Sequence, residues 1–265
     1  MQRVPAWVWI PAGIGLAFFA LPLVGLVWRT PWRDLLDLLG DAAARDAMRL
    51  SLVTSTVTTV VAAIIGIPLA WVLARSRGRG LTAARALCTL PIVLPPVVGG
   101  GALFFAFGRR GLVGGSLDTW FGLRIPFTVA AIVMAQVFVA TPFLVVALEA
   151  ALRQVDPAIE ESGRTLGGSP TYVFLRVTLP AVRPALVSGL VLCWARALGE
   201  FGATITFAGT APGRTTMPVA IYRSFETDPP TALALAMVLV AVALGVLVAV
   251  RSRWLGALQS VLGRA

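Results

Sequence analysis

Six long apolar runs dominate this chain, at about residues 6–28, 51–74, 87–108, 127–151, 185–208 and 231–250. A helix rises 1.5 Å per residue, so about 20 residues cross a hydrocarbon core of about 30 Å. The chain has 265 residues, 58% of them hydrophobic and 13% charged, with a mean hydropathy of +0.87. A water-soluble fold cannot cover that much apolar surface, and in lipid only helices or closed barrels satisfy their backbone groups. Runs of this length predict an all-α integral membrane protein with about six transmembrane helices, forming one transmembrane domain over residues 1–265. The first run exceeds a signal-peptide core, and the following PLVGLVWRT offers no small-residue cleavage site, so it is read as a helix. The fifth departs most from the pattern, because it contains Arg196 and Glu200.

Charge orients the helices and excludes several functions. All 22 basic residues are arginine, against 12 acidic ones, for a net charge of +10. The arginines flank the apolar runs and form no basic face or tail, which argues for membrane orientation and against nucleic acid. Arg75, Arg77, Arg79 and Arg85 follow the second run with no acidic residue beside them, so that loop is expected in the cytoplasm. The 153–184 loop, the tail with Arg251, Arg253 and Arg264, and both termini then fall on the cytoplasmic side. The bias is modest, since Arg29, Arg33, Arg45 and Arg49 lie opposite, interleaved with Asp34, Asp37, Asp41 and Asp46. The chain has no histidine and no lysine, and Cys88 and Cys193 both sit in apolar runs. This set rules out histidine-based acid/base chemistry, the usual zinc sites and a lysine-bearing phosphate loop. Whatever energy drives this protein is supplied elsewhere.

Between the fourth and fifth runs lies EESGRTLGGSPTYVFLRVTLP (160–180), charged and rich in glycine and proline. Asp156-Pro157 reads as an N-cap followed by proline at the first helical position, opening a helix that ends at Gly167-Gly168. Ser169-Pro170 opens a second, closed by Pro180 and Pro184. The pair reads as short helices at the membrane surface, with Tyr172, Phe174 and Leu175 packing on lipid or protein.

The spacing within this segment carries a resemblance. Glu161-Ser162-Gly163, three residues, Gly167, nine residues and Val177-Thr178-Leu179-Pro180 is similar to the cytoplasmic signature of ABC importer permeases, with Ser and Gly replacing two alanines and Val replacing Ile. The resemblance implies the type I ABC importer permease fold, in which the segment of about 153–184 is a coupling helix seated on an ATPase subunit. Carried over onto this sequence, the docking residues are Glu160, Glu161, Ser162, Gly163, Arg164, Gly167, Gly168, Leu179 and Pro180. Small residues there would permit close approach, and Glu160, Glu161 and Arg164 would orient the partner by charge.

Three more stretches narrow the likeness: TLPIVLPPVVGGGALFFAFGRRGLVG (89–114), ARALGEFGATITFAG (195–209) and PGRTTMPVAIY (212–222). They resemble molybdate or tungstate permeases, and sulfate/thiosulfate permeases share much of the first two. The family-like core runs over about residues 50–250. The resemblance implies an importer in a bacterial or archaeal inner membrane, built with a second permease copy as a homodimer and with two ATP-binding subunits. An extracytoplasmic oxyanion-binding protein would deliver the cargo. No cofactor is implied on this chain; ATP and Mg belong to the ATPase. A secondary anion transporter or a membrane anchor for a soluble complex is the alternative outside this class.

Candidates for the translocation pathway follow from polar or kinked positions inside the runs. Arg196 and Glu200 stand one turn apart, either as a structural ion pair or with Arg196 handling a dianion and Glu200 latching the gate. Pro95 and Pro96 before Gly99 and Gly100 predict a kinked or unwound helix, whose freed amides would bind an oxyanion, or else a tight helix crossing. Ser55 and Thr58 belong to a polar stripe with Ser51 and Thr54, facing either the pathway or a neighbouring helix.

Overall fold

A computed structural model describes residues 5–76, 78–211 and 213–262. Arg77, Pro212 and Arg264, used in the sequence reading, lie outside the described residues. After a 3-10 turn at Ala6–Val8 come α1 (Trp9–Arg29), α2 (Leu35–Gly40), α3 (Ala42–Arg75), α4 (Arg79–Val93), α5 (Pro96–Phe107), α6 (Gly114–Phe121) and α7 (Val129–Gln154). The polar segment follows as α8 (Pro157–Thr165), α9 (Pro170–Val173), a π-helical turn (Phe174–Thr178) and α10 (Leu179–Ala181). The chain closes with α11 (Arg183–Leu198), α12 (Gly202–Ala208), α13 (Met217–Thr227) and α14 (Pro229–Leu262).

Four of the six expected spans are uninterrupted: α1, α3, α7 and the Pro229–Val248 part of α14. The other two are broken. The third divides into α4 and α5 at Leu94 and Pro95. Each of these residues precedes a proline, which disfavours the helical region for it, and with two such residues in succession they adopt ψ values of 135° and 130°. Single prolines do not have this effect: Pro22, Pro68 and Pro142 sit inside α1, α3 and α7. The fifth span divides into α11 and α12 across Gly199–Phe201. α3 is also longer than its apolar run, 34 residues or about 51 Å, because Asp41 caps it well before the run begins. The Asp41 carboxylate accepts from the Ala43 and Ala44 amides at 2.9 and 3.4 Å.

α7 is the axis of the fold. Ala62 of α3, Ala140 and Leu144 of α7, and Cys193 and Ala197 of α11 form one buried cluster. Gly66 of α3 faces Thr141 and Val145, and Gly189 of α11 faces Leu144, so small residues set these crossings. One end of α7 packs on Leu103 of α5 and on Ala203 and Phe207 of α12. The other packs on Ala70 and Leu73 of α3 and Phe174 of the π turn. α1, by contrast, buries none of its residues.

Candidate functional site

The polar segment is built by its caps. Asp156 accepts from the Ala158 amide at 2.9 Å with Pro157 at the first turn of α8, and Ser169 accepts from the Tyr172 amide at 3.2 Å with Pro170 opening α9. Between them Gly167 adopts φ +86°, a left-handed conformation that glycine takes without a steric penalty. Past Ala181 the chain bends by 79° into α11.

Residues expected to face a partner divide into two groups. Glu161, Ser162 and Arg164 are exposed, as is Pro180, and the Ser162 hydroxyl donates to the Ala158 carbonyl at 2.8 Å. Ile159, Leu166, Tyr172 and Leu175 project apolar surface from the same segment, Leu166 with 89% of its area open. Gly163 and Gly168 have an internal role instead: a Cβ on either would stand 3.0 Å from Val173 Cγ2. Their smallness closes α8 onto α9. Leu179, half-buried, packs on the cluster of Leu73, Phe174 and Val182.

Glu160, expected to orient a partner by charge, turns inward in this structure. Its Oε1 accepts from Arg75 Nη2 at 2.7 Å, Arg75 Nε at 3.0 Å and Thr178 Oγ1 at 3.0 Å. One helical turn back along α3, Trp71 stacks on Phe174 with centroids 4.1 Å apart. A second cluster sits beside it: Glu149 of α7 receives Arg85 Nε of α4 at 2.8 Å and Arg153 Nε at 3.0 Å. Both arginines also donate to the Leu73 carbonyl at the end of α3, at 3.0 and 3.3 Å. Sequence reasoning passed over Glu149 and Arg153, and met Thr178 only as part of the spacing. The four-residue spacing of Glu149 and Arg153 at the end of an apolar run was the available signal.

Inside the spans, Arg196 Nη1 lies 2.6 Å from Glu200 Oε2, with side-chain exposures of 27% and 1%. Glu200 stands in the break after α11, and its Oε1 accepts from the Ala203 amide at 2.7 Å. The carboxylate therefore caps α12 and neutralises Arg196 at once, a structural arrangement favoured by the positive end of the helix. The pair does not share one continuous helical face, because the helix ends between its members. Pro95 and Pro96 are exposed at the head of α5.

The other pathway candidates close helix seams. A Cβ on Gly100 would meet the Ala203 oxygen at 2.7 Å, and one on Gly202 would meet Pro96 Cβ at 2.7 Å, so α5 and α12 touch backbone to backbone. Gly99 faces the Phe138 ring in the same way, at 3.1 Å. Ser55 is fully buried and donates to the Leu52 carbonyl at 3.1 Å. Thr58 donates to Gln136 Oε1 at 3.0 Å while Gln136 Nε2 donates to Thr54 at 3.2 Å, a polar seam between α3 and α7. Ser51 accepts from the Met217 amide at 2.7 Å, fixing the start of α13. Ser51, Thr54 and Thr58 thus bond across to other helices, while Ser55 is buried with its bond inside α3.

Comparison with known proteins adds the following. Residues 66–259 match the family described as binding-protein-dependent transport system inner membrane component. The molybdenum transport system permease protein ModB of Mycobacterium tuberculosis is 47% identical over 251 residues, covering 94% of this chain and 95% of the relative. The sulfate transport system permease protein CysW of a Synechocystis species is 33% identical over 208 residues, covering 77% of this chain and 75% of the relative. Among solved structures, a bacterial alginate ABC transporter in complex with its alginate-bound periplasmic protein superposes with a TM-score of 0.71 at 20% identity. That superposition covers 92% of this chain and 91% of the other, and the shared fold is the type I ABC importer permease fold.

Proposed function

This chain belongs to the family of inner-membrane components of binding-protein-dependent transport systems, and on that premise we propose that it is the membrane-spanning subunit of an ATP-driven molybdate or tungstate importer. The cargo rests on one observation, the similarity to a molybdenum permease along nearly the whole length of both proteins. The likeness to a sulfate permease is lower and covers less of each chain, which makes sulfate or thiosulfate the second reading.

The remaining parts of the proposal are supported by the family and by the exposed face of the polar segment. Two copies form the pathway, and each offers one polar segment to one of two ATP-binding subunits. Glu161, Arg164, Leu166 and Tyr172 compose the presented surface, an apolar centre with charges at its edge. ATP and Mg are held by that partner, so this chain performs no catalysis. An extracytoplasmic binding protein delivers the anion, and both termini lie in the cytoplasm, where the arginines after α3 also lie. α1, which buries nothing within its own subunit, is covered by lipid or by the second copy.

For the anion itself, Arg196 retains partial exposure beside the break between α11 and α12. Its charge is already balanced by Glu200, so it offers a weak and transient contact rather than a trap. That suits a subunit that must release what it receives.

Labelled molybdate uptake in cells lacking the protein and in cells with it restored tests the reading. Uptake that depends on the protein and is blocked by excess tungstate but not sulfate supports it. Uptake abolished by sulfate moves the protein to the second reading, and equal uptake in both strains refutes both.

A further inference from the structure

Two glutamates stand side by side in the polar segment and face opposite ways. Successive residues on a helix are turned by about 100°, so only one of them points back into the subunit. Glu161 is exposed, whereas Glu160 is drawn against the last residue of α3. A single carboxylate oxygen of Glu160 takes hydrogen bonds from two atoms of Arg75 and from Thr178, and Arg75 Nη2 also reaches the Val155 carbonyl at 3.3 Å. Three elements (the end of α3, α8 and the π turn) therefore meet at one atom. Thr178 is fully buried, and the side chains of Arg75 and Glu160 are only 21% and 13% exposed, so solvent screens this contact weakly.

A single contact between rigid bodies acts as a pivot, and a second one removes the freedom to turn. The stacked rings of Trp71 and Phe174 supply that second contact, one helical turn from Arg75. The same end of α3 is held from its other side by Arg85 of α4 and Arg153 of α7, both on the Leu73 carbonyl and both anchored by Glu149. The last turn of α3 is thus a junction of α4, α7 and the polar segment.

We propose that the Arg75–Glu160–Thr178 contact is the joint through which displacement of the cytoplasmic segment is delivered to α3, and with it to α4 and α7. This deepens the importer reading and rests on it. Glu160 is then a positioning residue inside the permease, while its neighbour Glu161 belongs to the surface that meets the ATPase. Breaking the joint leaves the ATPase docked but lets the segment move without the spans. The expected signature is ATP hydrolysed without a matching amount of anion carried.

The test uses the assembled transporter in proteoliposomes with its binding protein, reading molybdate carried per ATP hydrolysed and the amount of ATPase that co-purifies. E160Q keeps its ATPase and lowers the ratio on the order of tenfold, a typical scale for coupling between sites. The exchanged pair R75E/E160R restores most of it. E161K loses the ATPase instead. Thr178→Val removes one donor while keeping the ion pair, and lowers the ratio about two- to fivefold; this variant carries the test should E160Q fail to fold. A wild-type ratio in E160Q or in Thr178→Val overturns the proposal. So does loss of the ATPase from E160Q, which would place Glu160 on the docking surface. A wild-type chain that binds no ATPase overturns the importer reading itself, a result visible before any variant is made.

Discussion

The adjacent glycines of α5 allow a controlled test of how closely the two half-helices must approach. Gly100→Ala would place a Cβ 2.7 Å from the Ala203 oxygen, 2.8 Å from Thr206 Cβ and 2.9 Å from Ala203 Cα, whereas a Cβ on Gly101 meets nothing within 4 Å. Relaxed carbon contacts lie near 3.5 Å, so α5 and α12 must part by about 0.6–0.8 Å. Two of the three clashing atoms are backbone, and α12 is pinned by Glu200 at its start and by Ile132 and Ala135 of α7 behind it. No side-chain rotation relieves the clash. Overpacking of this kind costs about 1–3 kcal/mol, and the absence of an escape puts Gly100→Ala near the upper end. Replacing a helical glycine by alanine gains about 1 kcal/mol of propensity, but both variants share that gain, so it cancels in their difference. Gly100→Ala should therefore be less stable than Gly101→Ala by about 2–3 kcal/mol, or roughly 5–10 °C in midpoint for a chain of this size. Thermal unfolding in detergent can be followed with a thiol-reactive fluorophore in a Cys88→Ser background, because the remaining thiol of Cys193 is buried in the folded state. Equal midpoints for the two variants would refute the claim that α5 and α12 meet backbone to backbone at Gly100.

Two further outcomes are expected. Glu200→Ala leaves Arg196 without its counter-charge and the Ala203 amide without its cap, and should cost about 3–5 kcal/mol. The double variant R196A/E200A should recover part of that stability; a double variant no better than the single would show that the Glu200 cap, and not charge balance, is what matters. Outside the spans, the hydrogen bond from Arg124 holds the Asp118 carboxyl below its ordinary value, with the nearby charges of Arg124 and Arg109 acting in the same direction. A carboxyl lowered by folding stabilises its loop above the unfolded pKa, and loses that contribution as pH falls through the folded one. The fluorescence of Trp120, exposed on the same short helix, should thus stay constant from neutral pH and change only below the ordinary carboxylate range. Asp118→Asn should abolish the transition, and an unchanged transition in that variant would assign it to another group.

Much of the architecture is local enough to be legible in the residues. Apolar length decides which segments enter the bilayer, because each buried polar group there costs free energy wherever the helix packs. Asp156-Pro157, Gly167-Gly168 and Ser169-Pro170 determine the helices of the polar segment, since caps and φ preferences act over four residues or fewer. Leu94-Pro95-Pro96 likewise predicts a distorted helix; that the distortion is a full break follows from two successive residues being held extended.

Tertiary structure decided what those elements face. Sequence presents Glu160 and Glu161 as equivalent charges, and only the position of Arg75, 85 residues away along the chain, turns one inward and leaves the other outside. The triple glycine of α5 allows either an anion site or a close crossing, and Ala203 and Thr206 of a distant half-helix select the crossing. Ser55 and Thr58 are polar residues that suit a pathway or a seam; both are buried, and Gln136 of α7 bonds Thr58 across the seam while Ser55 bonds within α3. Local propensity sets where a helix begins and ends. Which of its faces meets charge, backbone or lipid depends on atoms brought close by packing, and spacing along the chain carries no record of them.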